Sequence, residues 1–163
     1  MRYAARMKKS AGLLMYRQQA GVLQVLLAHP GGPFWQGKDD GAWTLPKGEY
    51  QDAEEPLAAA QREFAEETGC TAAAPFISLG EIVQKSGKRI VAWAFAGEFE
   101  PALLRCNTFE MEWPPRSGRR QSYPEIDRVE WLGLEAAGRK INPAQRPLLA
   151  RLQKALASEG APG

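Results

Sequence analysis

Two apolar runs near the start of the chain have the length of β-strands. Residues 10–16 and 22–29 are rich in leucine, valine and alanine, and residues 18–21 between them end in a glycine. Short apolar runs that are joined by a turn of this kind are typical of a β-hairpin. The pattern therefore predicts two adjacent antiparallel strands.

A helical pattern follows at residues 56–67. The segment is rich in alanine, leucine, glutamine, arginine and glutamate, has proline only at its first position, and is followed by Gly69, a typical C-terminal cap. Leu57, Ala60 and Phe64 form an apolar stripe along one side of this helix. We expect this stripe to pack on the protein core.

The segments between the helices alternate between strand-like and loop-like patterns. They predict a loop at residues 30–41, a short strand at 43–45, a hairpin with strands 76–84 and 89–98 that turns at 85–88, and a strand at 127–132. Strands that are followed by a helix, twice along the chain, predict an α/β fold whose mixed sheet is covered on both faces.

The end of the chain predicts a final helix. Asn142 is suited to its N-cap and Pro143 to its first position. Its core-facing stripe would be formed by Leu148, Leu149, Leu152, Ala155 and Leu156. Residues 158–163 contain glycine and proline, and we expect them to fray.

Length and composition predict a single domain over residues 1–163. A chain of 163 residues with 44% hydrophobic content can bury one full core. No apolar run approaches the length of a membrane span, so we expect no membrane partner. The net charge of +2 is too small to indicate DNA binding by bulk electrostatics.

The cysteine usage and the start of the chain favour a cytoplasmic location. Cys70 and Cys106 are far apart and lack metal-ligand spacing, so they do not indicate a disulfide framework. The basic residues 1–9 precede an apolar stretch that is too short for a secretory signal. A reducing cytoplasm fits both features.

Acidic residues at fixed offsets mark the helix at residues 56–67. Glu63, Glu66 and Glu67 fall within an arc of about 100° on the helix. Like charges three and four positions apart repel one another, so this cluster indicates a compensating cation, and hard carboxylate oxygens favour Mg²⁺ or Mn²⁺. The alternative for a generic acidic cluster is a solvated helix face.

The offsets around this cluster are more specific than the cluster itself. Gly48, Glu54, Arg62 and Gly69 complete a pattern that resembles the Nudix box, GX5EX7REUXEEXGU, in which U is a bulky aliphatic residue. Phe64 is an acceptable hydrophobic residue at the first U, and Cys70 is a smaller substitute at the last. The resemblance implies the α/β/α sandwich of the Nudix fold.

The same resemblance implies a chemistry, the hydrolysis of a diphosphate linkage. Glu63, Glu66 and Glu67 would ligate Mg²⁺ together with the backbone carbonyl of Lys47, and one carboxylate would act as general base. Glu54 and Arg62 would orient these groups through bidentate hydrogen bonds. Gly48 suits a backbone that approaches the metal or the phosphate closely.

Outside the box, the chain resembles the diadenosine tetraphosphate hydrolases of the Nudix superfamily. The resemblance lies in residues 43–48, in Lys88-Arg89 followed by Trp93, and in residues 129–132. It places Glu125 where those enzymes carry an additional catalytic or metal-binding glutamate, on what we expect to be a mobile loop. An ordinary loop acid is the alternative for Glu125.

Two loops are candidates for substrate specificity. Residues 29–38 offer backbone amides, aromatic rings and Lys38, whereas residues 109–123 were expected to form an arginine-rich loop. Arginine suits phosphate oxygens, and aromatic rings can stack on a base. The substrate-binding candidates are Trp43, Lys47, Lys38, Trp113, Arg116, Arg119 and Tyr123, with Arg120 beside them. Solvated surface cations and rim aromatics are the alternative.

His29 and Trp43 carry separate expectations. His29, the only histidine, is interpreted as structural because no partner for nucleophilic catalysis lies near it in the sequence. Trp43 is expected to lie half in the core and half in a pocket wall.

The sequence as a whole predicts a Mg²⁺-dependent hydrolase of a dinucleoside polyphosphate or a nucleoside triphosphate. ADP-ribose or another nucleoside diphosphate derivative is the next substrate class. A non-catalytic module that binds nucleotide or RNA is the alternative class of function, although a pure binder would not need the whole set of carboxylates. An isoprenoid diphosphate isomerase is disfavoured because neither cysteine has an evident active-site context. The oligomeric state stays open.

Overall fold

The computed structural model describes residues 8–160. Its elements in chain order are β1 (Lys9–Gln19), β2 (Val22–Pro30), β3 (Lys47–Glu49), α1 (Pro56–Thr68), β4 (Ile77–Val83), β5 (Arg89–Ala96), β6 (Thr108–Glu112), β7 (Arg120–Pro124), β8 (Ile126–Gly133), α2 (Leu134–Lys140) and α3 (Pro147–Gly160). Short 3₁₀ turns lie at Pro101–Leu103 and Pro143–Gln145.

A mixed sheet forms the centre of the fold. Its strands follow the order β4-β5-β1-β2-β8, and β3 pairs with β1 beside this path. The pairs β1–β2, β1–β3, β2–β8 and β4–β5 are antiparallel, whereas β1 and β5 are parallel. Both predicted hairpins are therefore present. The first turns tightly at Ala20 and Gly21, which both have positive φ, as two-residue hairpin turns require.

The side chains of β1 alternate between two apolar cores, one on each face of the sheet. Leu13 and Met15 pack on the face that α1 covers. Leu14 packs on the opposite face with Ile141 and Leu148, which α2 and α3 cover. This arrangement confirms the α/β/α sandwich with a mixed sheet.

The apolar stripe of α1 fixes this helix on the sheet. Ala59, Ala60 and Phe64 are fully buried, and the ring of Phe64 meets that of Phe95 edge to face at a centroid distance of 5.3 Å. Small residues at two of these positions bring the helix close to the strands. Burial of a phenylalanine side chain contributes about 2 kcal/mol. The opposite side of α1 is left to its glutamates.

The strand predicted at residues 43–45 is wrong. Trp43 and Thr44 form only isolated bridges, to Ile141 and Ala28 respectively, and the strand lies at Lys47–Glu49. Pro46 has no amide hydrogen and interrupts a continuous ladder, although its carbonyl accepts a hydrogen bond from the Leu13 amide at 3.1 Å.

The arginine-rich loop predicted at residues 109–123 is wrong as well. Strands β6 and β7 pair over five positions, from Thr108 opposite Pro124 to Glu112 opposite Arg120. They form a separate two-stranded sheet, which we call the β6–β7 arm. The residues between the two strands form its tip.

The C-terminal part differs from the prediction in three respects. Asn142 caps the 3₁₀ turn at Pro143–Gln145 by accepting from the Ala144 amide at 2.9 Å, and α3 begins only at Pro147. Pro147 has no amide hydrogen, so it suits the first position of a new helix and not the interior of one. Helix α2 was not predicted. Helix α3 continues through Gly160, past the expected onset of fraying, and residues 161–163 lie outside the described residues.

None of the helices within residues 8–160 combines the length and the apolar character that a bilayer crossing needs.

We predict that Gln145→Ala destabilises the fold by about 1–3 kcal/mol, because a buried donor and a buried acceptor lose their partner. The buried Gln145 side chain accepts from the Leu45 amide at 3.1 Å and donates to Thr44 Oγ1 at 2.9 Å. Urea unfolding measures this change. Gln153→Ala, on the exposed face of α3, is the control and should change stability by less than about 0.5 kcal/mol. Equal stability of the two variants would contradict the prediction.

Candidate active site

Gly48 lies directly against a carboxylate of α1. A Cβ at Gly48 would overlap the carboxyl group of Glu63, so a larger residue would force this side chain to turn away. Glycine therefore leaves the space that the Glu63 carboxyl group occupies. This contact holds the Glu63 carboxyl group against the backbone of β3.

Glu67 is the most buried carboxylate of the group. Its Oε2 accepts a hydrogen bond from the backbone amide of Lys47 at 3.1 Å. Burial raises the pKa of Glu67 to about 8, against the attraction of the Lys47 ammonium group and the amide hydrogen bond. Burial, with Lys88 as a second cause, lowers the pKa of Lys47. A carboxyl group whose pKa is shifted this far by burial is typical of functional sites.

Arg62 holds three carboxylates at once. It binds Glu54 in a bidentate manner, with Nε to Oε2 at 2.8 Å and Nη2 to Oε1 at 3.1 Å. Its Nη1 donates to Glu63 at 2.9 Å and to Glu66 at 3.2 Å. Hydrogen bonding by Arg62 is the main reason why the pKa of Glu54 is lowered. The orienting role predicted for Arg62 and Glu54 agrees with this geometry.

Glu125 enters the site from the other side. It is the single residue between β7 and β8, its amide donates to the Asn107 carbonyl at 2.9 Å, and its carbonyl accepts from the Gly31 amide at 2.9 Å. The expected loop is therefore wrong, because Glu125 lies directly between two strands and its backbone is hydrogen-bonded on both sides. Burial and then repulsion by Glu66 raise the pKa of its carboxyl group.

The four carboxylates are close enough to affect one another. Burial is the first cause of the raised pKa of Glu63, which Glu66 and Glu125 raise further. Glu63 and Glu125 add to the raised pKa of Glu67 in the same way. Arg62 lowers the pKa of Glu63 and Lys47 lowers that of Glu67, but burial outweighs both, so the two pKa values stay raised.

A divalent cation fits this donor set. The oxygens are hard, as Mg²⁺ and Mn²⁺ require, and the repulsion among the carboxylates would be relieved by a positive charge. Within residues 8–160, no three acidic, histidine or cysteine side chains converge on one point as a preformed metal site. Arg62 engages Glu63 and Glu66 in this arrangement. Metal binding would require these two side chains to turn away from the guanidinium group.

Trp43 lies wholly in the core, so the expectation that half of it forms a pocket wall is wrong. Its side chain is fully buried, and its Nε1 donates to Asp39 Oδ1 at 2.8 Å. Its ring meets the edge of His29 at 5.1 Å, and its backbone is bridged to Ile141. These contacts make Trp43 part of the core on the α2 and α3 face, out of reach of a substrate.

His29 is structural in its contacts, as expected. Its buried ring lies 2.9 Å from Asp127 Oδ1 through Nδ1 and 2.6 Å from the Lys38 carbonyl through Nε2. The ring thus links the loop at residues 31–38 to β8. The Lys38 ammonium lies 3.8 Å from the ring centroid of Phe34, whose side chain is 57% exposed. No described contact joins Lys38 to the carboxylates of α1.

The β6–β7 arm carries the remaining substrate-binding candidates. Tyr123 lies opposite Phe109 on neighbouring strands, with their rings 6.0 Å apart, whereas Trp113, Arg116 and Arg119 lie at the tip. The Arg116 amide donates to Glu112 at 2.6 Å, which fixes the turn. The arm begins and ends beside the carboxylates, but its arginines are at the far end.

Sequence reasoning missed how the loop at residues 31–32 contacts the arm. A Cβ at Gly31 would overlap the Pro124 carbonyl oxygen, and a Cβ at Gly32 would lie 2.9 Å from Phe109 Cζ. The Gly-Gly pair was interpreted only as a frame for a nucleotide. No local pattern reveals a contact between segments this far apart in the chain.

Comparisons with known proteins agree with this geometry. The NUDIX domain family matches residues 6–152, most of the chain. No curated protein matches the chain at a significant level.

Three solved structures show the same fold at low sequence identity. An Ap4A hydrolase of C. elegans, solved as a binary complex, is similar with a TM-score of 0.65 and 23% identity over 91% of this chain and 98% of that chain. The NUDIX domain of Shewanella oneidensis NrtR, complexed with ADP ribose, has a TM-score of 0.65 and 15% identity over 94% and 90%. A MutT protein of Methanosarcina mazei has a TM-score of 0.60 and 21% identity over 94% and 99%.

These findings assign the family. The hydrolases of this family are pyrophosphohydrolases and generally use divalent metals. The matched region contains α1 with its complete set of box residues as well as Glu125. The chain belongs to the Nudix family.

Proposed function

We propose that this protein hydrolyses a diphosphate linkage in a nucleoside polyphosphate with the help of Mg²⁺ or Mn²⁺. A dinucleoside polyphosphate or a nucleoside triphosphate is the leading substrate class. The observation that carries the proposal is the proximity of Glu125 to the glutamates of α1. Glu66 contributes to the raised pKa of Glu125, and Glu125 contributes to the raised pKa values of Glu63 and Glu67. A structural role does not explain so costly a cluster.

The residues of the site would have different roles in the reaction. A bound divalent cation would neutralise the anionic substrate and activate water. Glu63, Glu66 and Glu67, with the Lys47 carbonyl, would hold the cation. Arg62 keeps its two hydrogen bonds to Glu54 when Glu63 and Glu66 turn towards the cation, so the helix surface stays ordered.

Glu125 is the leading candidate for the general base. It lies across from α1, and none of its side-chain oxygens is engaged by Arg62, which binds Glu54, Glu63 and Glu66. A raised pKa brings a carboxylate closer to the operating pH of a base. One of the α1 glutamates is the alternative.

ADP-ribose is the second substrate candidate. It is supported by the similarity to the Shewanella oneidensis NrtR NUDIX domain, which was solved with ADP ribose. The intact carboxylate set argues against a module that only binds nucleotide. A screen of dinucleoside polyphosphates, nucleoside triphosphates and ADP-ribose with Mg²⁺, followed by product analysis, separates these functions.

We predict that Glu66→Gln or Glu67→Gln lowers kcat by about a hundredfold or more, on the order of 3 kcal/mol of barrier. Each variant loses a negative charge that the cation requires, and the fold, which depends on the other side of α1, is retained. Steady-state kinetics and circular dichroism measure the two effects. Chelation by EDTA should abolish wild-type activity, and full activity with the chelator would refute the metal role.

Glu125→Gln is expected to lower kcat by about 10²–10⁴-fold, the range of general base catalysis, with little change in the Mg²⁺ concentration for half-activation. Glu110→Gln, an exposed acid on β6, is the matched control. Unchanged kcat in Glu125→Gln would move the base to Glu63, Glu66 or Glu67.

The arginines at the tip of the β6–β7 arm should distinguish long from short substrates. At about 3.4 Å per strand residue, the Arg120 backbone lies about 17 Å from Glu125, so only the distant part of a substrate reaches the tip. Replacing Arg116, Arg119 and Arg120 together by alanine should therefore raise KM more for a tetraphosphate than for a diphosphate substrate.

The control for this triple variant is Lys85→Ala/Lys154→Ala, which removes exposed cations elsewhere. An equal rise in KM for every substrate would show that the arm arginines act only through general surface charge and do not bind the distant phosphates of long substrates.

A further inference from the structure

We propose that Gly31 and Gly32 are positioning residues that set the place of Glu125 opposite α1. The inference rests on the proposed function, because it requires Glu125 to act in hydrolysis. It assigns to the Gly-Gly pair a role in placing a carboxylate, which is distinct from contact with the substrate.

Gly31 is held directly against the segment that carries Glu125. Its amide donates to the Glu125 carbonyl at 2.9 Å. A Cβ at this position would overlap the carbonyl oxygen of Pro124 and lie 3.0 Å from its carbonyl carbon. The φ of Gly31 lies outside the left-handed region, so an alanine would be opposed by this collision and not by its own backbone conformation. The displaced group would be the peptide that joins Pro124 to Glu125.

Gly32 acts on the base of the β6–β7 arm. A Cβ there would lie 2.9 Å from Phe109 Cζ, and Phe109 pairs with Tyr123 at the end of β7. The φ of Gly32 is +96°, in the region that L side chains rarely adopt. A substituent at Gly32 would therefore push on the strand pair immediately before Glu125, although the ring of Phe109 can yield more readily than backbone.

The opposite side of Glu125 is tied to α1. The Glu125 amide donates to the Asn107 carbonyl at 2.9 Å, and the Asn107 amide donates to the Glu66 carbonyl at 3.3 Å. A continuous path of backbone hydrogen bonds thus runs from Gly31 through Glu125 and Asn107 to the helix that carries the other carboxylates. A shift of the loop at residues 31–32 would therefore change the distance between Glu125 and α1.

The first experiment compares Gly31→Ala with Gly37→Ala. Gly37 lies in the same loop at φ +80°, and a Cβ there meets no atom within 4 Å, so its alanine variant reports backbone strain without a collision. We expect Gly31→Ala to lower kcat by about tenfold or more, since small misplacements of a reacting group are costly. KM should change by less than about threefold, and Gly37→Ala, which strains the same loop without a collision, should lower kcat less than Gly31→Ala does.

A double-mutant cycle with Glu125→Gln tests whether the loss passes through Glu125. If Gly31 positions Glu125, the Gly31→Ala change should cost less than about threefold in kcat when Glu125 is already glutamine. An equal loss in both backgrounds would overturn the proposal. Wild-type kcat in the single variant Glu125→Gln would instead refute the catalytic role of Glu125. The positioning role proposed for Gly31 and Gly32 would then be refuted as well.

Hydrogen exchange provides a readout that does not depend on activity. The amide at position 31 and the Glu125 amide should exchange faster in Gly31→Ala than in Gly37→Ala, because their hydrogen bonds to Glu125 and Asn107 are disturbed. Unchanged exchange at both amides together with unchanged kcat would overturn the proposal even if Glu125→Gln is inactive.

A second pair of variants covers the case in which Gly31→Ala does not fold. Gly32→Ala should lower kcat, and Gly32→Ala/Phe109→Ala should recover part of the loss, because the ring in the way has been removed while the strain at φ +96° remains. Failure of the double variant to recover any activity, with Phe109→Ala itself active, would overturn the proposed role of Gly32.

Discussion

The site depends on the close packing of α1 against β3. Alanines at two of the buried positions of α1 let the helix approach the sheet, and the Glu63 carboxyl group occupies the space that a side chain at Gly48 would take. The same packing places Glu67 over the Lys47 amide, in surroundings where its charge is poorly solvated. The apolar side of α1 thus contributes the stability that holds its acidic side in an unfavourable environment.

Arg62 keeps this acidic surface ordered before any cation is bound. One guanidinium group contacts Glu54, Glu63 and Glu66, and its fork geometry suits the two oxygens of Glu54. The contacts to Glu63 and Glu66 use a single nitrogen of the guanidinium group, whereas the pair with Glu54 uses two. Under the proposed function, a cation would replace the first two contacts and leave the bidentate pair in place.

The second half of the site has a different physical basis. Glu125 belongs to no helix, and its position follows from backbone hydrogen bonds to Asn107 and Gly31 and from the space left by two glycines. The β6–β7 arm begins directly after Asn107 and ends directly before Glu125. The arm therefore ends directly beside the carboxylates, because Glu125 follows the last residue of β7.

The sequence by itself determined the features that depend on neighbours along the chain. Helix α1, its cap at Gly69, the spacing of Glu63, Glu66 and Glu67, and the two hairpins of the sheet follow from periodicity, turn residues and the box pattern. The fold class followed from the order of these elements and from the Nudix resemblance.

Only the tertiary structure decided the features that depend on distant segments. The burial of Trp43, the strand pairing of residues 108–124, and the contacts of Gly31 with Pro124 and of Gly32 with Phe109 all join segments that local patterns treat separately. The late start of α3 is a local feature, but the preceding proline at Pro143 offered an equally good start by the same rules. The conformational preferences of neighbouring residues determine which helices and strands form. Excluded volume and the pairing of buried polar groups determine where those helices and strands contact one another.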